Sequence, residues 1–255
     1  MKTTKAPDAL EMLEDIGAIK VPKSCDVLAS RLQQQILGGA YPPGSALPTE
    51  RELVEGTGLS RGSVREALRI LEAQGLIQTR AGRYGGSVVS RPTDQLLAVH
   101  INLFAKGLSI TLSALVEARQ ALEPMVAYLA AKNRTEEDLL ALQQIAARLD
   151  EAAPIDVPQF LKENANWHLA IAVASHNDLL RAFTASISGM MLEASRIENF
   201  APKDVRLLVM QAHRRILDAI KAGDAEAAKR RAERDVQAYA KHVEAALHAT
   251  VRGLT

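Results

Sequence analysis

The stretch from Leu47 to Gly86 constrains the fold of this 255-residue chain more than any other part of it. It contains two short helical segments separated by the turn Gly56-Thr57-Gly58, then two β-prone runs around a glycine-rich tip. Thr49 and Glu52 have the spacing of a capping box, in which each side chain satisfies a free backbone N–H group of the first helical turn. Ser60 is placed to cap the second helix. The pattern predicts a helix-turn-helix followed by a β-hairpin.

The second of these helices has one apolar side and one basic side. Its apolar residues repeat at i, i+3, i+4 and i+7, which predicts a single buried stripe: Val64, Ala67, Leu68 and Leu71. Arg61 and Arg65 lie one turn apart near the helix start, and Arg80 and Arg83 flank the hairpin tip. Arginine offers a forked donor that matches guanine O6 and N7 in the major groove. Each arginine alone is compatible with a solvated surface position, but together they favour a winged helix-turn-helix that binds DNA.

The segment PPGSALPTERELVEGTGLSRGSVREALRILEAQGLI resembles the winged helix-turn-helix of GntR-family transcriptional regulators, and the resemblance covers residues 24–90. It implies that six residues lie against DNA: Arg51, Ser60, Arg61, Gly62, Arg65 and Gly82. Gly62 departs from the family pattern, which usually has a hydroxyl residue at this place.

Charge is distributed unevenly along a chain whose net charge is only +1. Residues 61–91 contain six arginines and two glutamates, so basic charge is concentrated where the sequence predicts DNA binding.

The single cysteine, Cys25, excludes an internal disulfide and favours a reducing compartment. No apolar run reaches the ~18 residues of a membrane helix, and no signal peptide is evident. We therefore expect a cytoplasmic protein with no membrane partner.

Arg91-Pro92-Thr93 marks a predicted domain boundary, because proline cannot join the ladder of the last strand. We expect an N-terminal extension (1–21), a winged helix-turn-helix domain (22–91) and a helical domain (92–255). The helical domain is rich in Ala and Leu, and its periodicity predicts helices at about 94–106, 110–132, 136–151, 157–175, 178–197, 203–222 and 224–251. The predicted fold class is mainly α, with the winged domain followed by an all-helical antiparallel bundle of about six or seven helices.

The helical domain is similar to the C-terminal ligand-binding domain of the FadR subfamily of GntR regulators, the FCD type. The motifs that carry this similarity are EARQALEP at 117–124, NANWH at 164–168 and AHRRILDAI at 212–220. The resemblance implies a homodimeric transcriptional regulator that binds a palindromic DNA operator and a small carboxylate or sugar acid. A repressor that is released or modulated by the acid is the expected form.

Four polar residues of the helical domain are spaced so that they can meet. Asn164 and His168 are four residues apart and share one helix face. His213 and Asp235 lie at similar distances before and after Gly223, so an antiparallel hairpin that turns at Gly223 brings them to the same height. Helical bundles commonly build cofactor sites from such facing positions.

In metal-binding members of the subfamily, the four corresponding positions hold Asp, His, His and His around one divalent ion. Here Asn164 replaces the first carboxylate and Asp235 replaces the last histidine. The set keeps two imidazoles, His168 and His213, and one carboxylate, which suits Zn, Ni, Mn or Fe. The alternative is a polar pocket without metal, in which Asp235 and Asn164 satisfy the two buried histidines.

Arg119 and Glu123 lie one turn apart in the second helix of the domain. Either they form an ion pair within the helix, or Arg119 faces a cavity and binds the carboxylate of an effector. A different class of protein, a metal-dependent hydrolase that uses His168, His213 and Asp235, lacks an HExxH motif and an evident general base. We therefore expect no enzyme activity.

Overall fold

A computed structural model of the protein describes residues 21–80, 86–198 and 202–252, and the side chains within these ranges except at 194–198 and 245–252. The chain divides into two compact units on either side of the Pro92–Thr93 bond. The predicted extension 1–21 lies outside the described residues apart from Val21, and so does the wing residue Gly82.

The first unit is a winged helix-turn-helix. Helices α1 (Ser24–Leu37), α2 (Glu50–Thr57) and α3 (Arg61–Ala73) are followed by the antiparallel strands β1 (Ile77–Arg80) and β2 (Gly86–Val89). The predicted capping box is present, since the Thr49 side chain accepts from the Glu52 backbone and the Glu52 side chain accepts from Thr49. Gly58 ends α2 with a φ of +69°, a conformation that favours glycine.

The core of this unit contains the residues that helical periodicity predicts. The four residues of the α3 stripe are buried, together with the repeat from α1: Leu28, Leu32 and Ile36. Ile77 and Val89 face each other across the two strands and close the other side of the core. The basic residues of α3 are therefore left on the surface, because the opposite side of the helix is committed to packing.

The second unit consists of α4 (Asp94–Gly107), α5 (Leu112–Asn133), α6 (Glu136–Ala152), α7 (Val157–Ala174), α8 (Asp178–Glu198), α9 (Lys203–Ala222) and α10 (Ala225–Arg252). The predicted helix ends agree with these within two residues. The predicted fold class, a winged helix-turn-helix plus a helical bundle, is confirmed. Among the described helices, none has the length and apolar character needed to cross a bilayer.

The turn between α9 and α10 depends on glycine for two reasons. Gly223 has a φ of +71°, and a Cβ atom added there would lie 3.2 Å from Nη2 of Arg134. The same Nη2 donates to the backbone carbonyl of Lys221, so it is held in place. The turn directs α10 back along α9, and α10 also packs along the length of α5.

The core of the helical unit is apolar around a few buried charged and polar side chains. Trp167, the single tryptophan of the chain, is fully buried among alanines and branched aliphatic residues. Arg119, Glu123, His168 and His213 are buried as well. Buried charges are rare unless they are paired or bind ions, so these residues mark the site that is described next.

Candidate DNA-binding surface and effector site

The N-terminal turn of α3 presents an open, polar surface. The Ser60 side chain accepts from the Ser63 backbone N–H at 3.1 Å and so begins the helix. Arg61 and Gly62 are exposed, and a Cβ atom at Gly62 would meet only Ser60 Oγ, at 3.8 Å. Arg51, in α2, is exposed beside Glu55 at 3.6 Å. The start of α3 is therefore open to solvent.

Arg65 is also on this surface, but it has a partner that sequence analysis missed. Its Nε lies 2.9 Å from Oε2 of Glu50, in the first turn of α2. The two residues are 15 positions apart, and only the crossing of α2 and α3 brings them together. The capping box placed Glu50 at the start of α2, but the direction of its side chain depends on how the two helices pack.

Residues 58–62, GLSRG, fit the G-x-S-x-G pattern of hydrolase nucleophiles. In a hydrolase the serine stands on a sharp turn between a strand and a helix. Here Ser60 follows the helix α2 and serves as the N-cap of α3, and its hydroxyl also contacts the Ser63 hydroxyl at 3.0 Å. The motif is thus part of the helix-turn-helix.

In the helical unit, three of the four predicted ligand residues meet at one point. His168 from α7, His213 from α9 and Asp235 from α10 each place a ligand atom within 4.8 Å of the others. His213 Nε2 lies 3.5 Å from Asp235 Oδ2, and the rings of His168 and His213 are 5.4 Å apart in an edge-on arrangement. Asn164, one turn before His168, lines the cavity beside it.

The unsatisfied atoms of this cluster fit a divalent cation. Nδ1 of His213 and Oδ1 of Asn164 are buried without a hydrogen-bond partner, and Nε2 of His213 has only its long contact with Asp235. Such groups destabilise a fold unless something binds them. Burial lowers the pKa of His213, and the Asp235 carboxylate only partly opposes that effect. Neutral imidazole is the form that binds metals. Trp167 stacks on the His213 ring at 4.8 Å and fixes its orientation.

Arg119 connects this cluster to the cavity. Its Nε and Nη2 contact the two carboxylate oxygens of Glu123 at 2.5 and 3.2 Å, so the predicted ion pair within the helix is present. Burial alone would raise the pKa of the Glu123 carboxyl, but Arg119 and His168 hold it well below its usual range. Nη2 of Arg119 also lies 2.9 Å from Nε2 of His168, and the guanidinium lies 5.1 Å from the centre of the Tyr239 ring.

The cavity next to Arg119 has a volume of about 50 Å³, and its walls are mostly apolar. Besides Arg119, Asn164 and His168, its lining includes Phe160, Met191, Arg206 and Tyr239. Tyr239 was not among the predicted site residues, although it lies one helical turn after Asp235 on the same face of α10. Arg206 was missed as well, and its Nε donates to the carbonyl of Ala153 at 2.6 Å.

A larger open groove of about 610 Å³ adjoins this cavity between α9 and α10. Tyr239 lines both the cavity and the groove, and Asp235 lines the groove. His242 also lines the groove and is not part of the histidine cluster. His176 lies elsewhere and contacts Asp138 at 2.7 Å.

A winged helix-turn-helix joined to a helical unit with a mostly apolar cavity that holds a few polar side chains defines a DNA-binding transcriptional regulator with an effector domain. Two family models match the chain: "Bacterial regulatory proteins, gntR family" at residues 26–85 and "FCD domain" at residues 114–238.

Similar proteins agree with that class. The HTH-type transcriptional regulator LutR of Bacillus subtilis is 34% identical over 202 residues, which cover 74% of this chain and 87% of LutR. The galactonate operon transcriptional repressor of Escherichia coli is 32% identical, with 81% and 91% of the two chains covered. The structure of Streptococcus agalactiae GntR matches with a TM-score of 0.65 at 25% identity, over 85% of this chain and 99% of that chain.

The chain therefore belongs to the GntR family of bacterial transcriptional regulators and carries an FCD domain. The prediction of a transcriptional regulator is confirmed. The alternative of a metal-dependent hydrolase is not supported, because the matching relatives are transcriptional regulators.

Proposed function

We propose that this protein is a repressor that binds a palindromic operator as a homodimer and is released by a small carboxylate or sugar acid. The observation that carries the proposal is the buried Arg119 at the wall of a mostly apolar cavity, because a guanidinium recognises a carboxylate through two parallel hydrogen bonds. The similar galactonate operon protein is a repressor, which supports both the direction of regulation and an acid as the effector.

For the DNA contacts, we assign base reading to Arg61 and Arg65, at the exposed start of α3. Arg51 and Ser60 would position the unit on the phosphates, and Gly62 would allow close approach to the DNA. Gly82 in the wing completes the set by resemblance alone. Binding to a bacterial chromosome also implies that the protein works in the cytoplasm.

For the effector site, we propose that a divalent cation, Zn, Ni, Mn or Fe, binds His168, His213, Asp235 and the amide oxygen of Asn164. The support is the cluster of ligand atoms within 4.8 Å, together with two buried atoms that have no hydrogen-bond partner, Nδ1 of His213 and Oδ1 of Asn164. A cation held there would present free coordination positions that can polarise and orient an acid in the cavity. Arg119 would then bind the carboxylate of the same acid.

The proposal is tested with the full chain and genomic DNA. Fragments that the protein retains are identified first, and operator affinity is then measured by fluorescence anisotropy with and without candidate acids and divalent cations. We expect galactonate or a related acid to raise the melting temperature of the helical unit, since a bound ligand stabilises the folded state, and to weaken operator binding. A protein that retains no fragment in preference to random duplex would contradict the proposal.

A further inference from the structure

The cavity beside Arg119 is too small to hold a whole sugar acid. Its volume is about 50 Å³, and one water needs roughly 10–15 Å³, so a carboxylate group with its neighbouring carbons is enough to fill it. Arg119 uses Nε and Nη2 on Glu123, whereas its Nη1 makes no hydrogen bond to a described residue. Nη1 can therefore donate to the carboxylate of an acid while the ion pair with Glu123 stays in place. The rest of a longer acid must lie outside the cavity.

The groove between α9 and α10 has room for that remainder. Val205, Val209 and Tyr239 line both the cavity and the groove, so the two spaces meet at these side chains. The volume of the groove is about 610 Å³, and small-molecule sites commonly measure about 300–1,000 Å³. A ligand that extends past Tyr239 would therefore have its carboxylate in the cavity and its other end in the groove.

Three arginines without a carboxylate partner among the described residues line the groove. Arg215 belongs to α9, and Arg231 and Arg234 belong to α10. Nη1 of Arg231 donates to the backbone carbonyl of Arg215, so this guanidinium is held between the two helices. Other arginines of the helical unit are paired with carboxylates: Arg119, Arg148, Arg181 and Arg214. The groove thus differs from those positions in leaving its guanidinium groups available.

The lining of the groove carries an excess of positive charge. Asp235 is the acidic residue of the lining, and its carboxylate lies 3.5 Å from Nε2 of His213. Three guanidinium groups therefore face one carboxylate that already contacts another side chain. Guanidinium groups match the oxygens of phosphate through forked hydrogen bonds. A phosphate monoester carries a charge of about −1.5 to −2 at pH 7, which several arginines together can balance.

From the shared wall and this charge we propose that the groove is a phosphate subsite, and that the effector is a phosphorylated sugar acid. The carboxylate binds Arg119 in the cavity, and the phosphate at the far end of the carbon chain binds Arg215, Arg231 and Arg234. The inference rests on the proposed function and narrows its class of effector. It also assigns a role to the groove, which the cavity alone does not explain.

The test compares 6-phosphogluconate with gluconate, which differ only in the terminal phosphate, by calorimetric titration of the full chain. The variant Arg215→Met/Arg234→Met removes one groove arginine from each helix. The matched control is Arg214→Met/Arg230→Met. It removes one exposed arginine from each of the same two helices, and neither residue lines the groove.

We expect the unchanged protein to bind 6-phosphogluconate at least about tenfold more tightly than gluconate, because hydrogen bonds between charged groups are the strong ones. The groove variant should bind both acids with the affinity that the unchanged protein has for gluconate, and the control variant should keep the preference. Equal affinities of the unchanged protein for the two acids, a preference that survives in the groove variant, or no binding of either acid would overturn the inference.

A second measurement needs no variant. When sodium phosphate replaces sodium chloride at equal ionic strength, the affinity for 6-phosphogluconate should fall toward that for gluconate, and the affinity for gluconate should not change. An equal fall for both acids would place the added phosphate at Arg119 and overturn the inference.

The proposed function is tested separately by Arg119→Met, which should weaken the binding of both acids, and by operator binding in anisotropy. A protein that releases its operator with gluconate and shows no preference for the phosphorylated acid would retain the proposed function and lose the phosphate subsite.

Discussion

Arg65 and Arg119 illustrate how burial changes the role of one residue type. The Arg65 side chain is 63% exposed, and its ion pair with Glu50 is screened by solvent, so it can exchange Glu50 for DNA at little cost. The Arg119 side chain is 8% exposed and cannot leave Glu123 without another anion to replace it. The first arginine therefore suits a surface that binds and releases DNA, and the second suits a ligand-dependent change.

Replacement of Arg65 by alanine should weaken operator binding by about 1–3 kcal/mol, the contribution of one good arginine–guanine contact. The control is Arg69→Ala, which removes an exposed arginine from the same helix, beside Glu66. Anisotropy titrations of both variants against the operator check this. Equal losses for the two variants would indicate that Arg65 contributes only general positive charge.

Glu50→Gln should lower the preference of the protein for its operator over random duplex by a few-fold. The substitution frees Arg65 from its 2.9 Å contact and removes a negative charge near DNA phosphates, so binding to any sequence becomes stronger. Glu66→Gln makes the same charge change on α3 next to Arg69 and serves as the control. An unchanged ratio of the two affinities in Glu50→Gln would show that Glu50 does not restrain Arg65.

At the scale of elements, polar caps determine where several of the helices begin. Thr135 and Asp138 form a second capping box at the start of α6, and Asp138 also accepts from His176, two residues after the end of α7. Burial alone would raise the pKa of Asp138, but hydrogen bonds from Thr135 and His176 lower it. The carboxylate therefore links the two helices as well as capping one of them.

The variant Asp138→Asn should lower the free energy of unfolding of the helical unit by about 1 kcal/mol near pH 7, as measured by Trp167 fluorescence in urea. Because the pKa of Asp138 is lower in the folded than in the unfolded chain, its contribution is present above an unfolded pKa of about 3.9 and disappears as the pH falls below it. The difference in the free energy of unfolding between the variant and the unchanged protein should thus become smaller from about pH 5 downward.

Asp150→Asn, near the other end of α6, is the control for this pH dependence. Its carboxylate pairs with Arg214 on the surface, where ion pairs contribute little. If the loss in free energy of unfolding caused by Asp138→Asn stays constant down to about pH 3.5, the Asp138 carboxylate does not stabilise the folded state through its charge, and the assigned role is contradicted.

At the scale of the whole molecule, the two units differ in composition and in chemistry. Residues 61–91 of the DNA-binding unit carry six arginines against two glutamates, while the helical unit encloses a cavity and a cluster of ligand atoms. A regulator of this kind requires that a ligand change the affinity of the other unit for DNA, which is a coupling between two distinct sites.

If two copies bind one palindrome, removal of one half-site from the operator should weaken binding far more than twofold. The dimer then loses one of its two DNA contacts, and with it the gain in affinity that comes from binding through both subunits at once. Anisotropy with full and half operators measures this effect, and light scattering gives the number of chains per DNA. One chain per full operator, with equal affinity for the half-site, would contradict the homodimer.

Most of the fold could be predicted from the sequence because its signals are local. The capping box of Thr49 and Glu52 and the apolar stripe of α3 each lie within a few residues of one another, and their physical effect does not depend on distant parts of the chain. The effector site was harder to predict from the sequence. Helical spacing predicted that His168, His213 and Asp235 could meet, whereas Tyr239 and Arg206 carry no sequence signal that marks a cavity wall.

The sequence by itself determined the elements, the winged helix-turn-helix and the faces of the helices that carry charge. Tertiary structure alone decided the partners: Glu50 for Arg65, 15 residues away, and His168 for Arg119, 49 residues away. Such pairs depend on how helices cross and on which rotamers the packing leaves open, and neither quantity is encoded in a local pattern. For this reason, the sequence indicated a cation cluster but not the arginine that packs against one of its histidines.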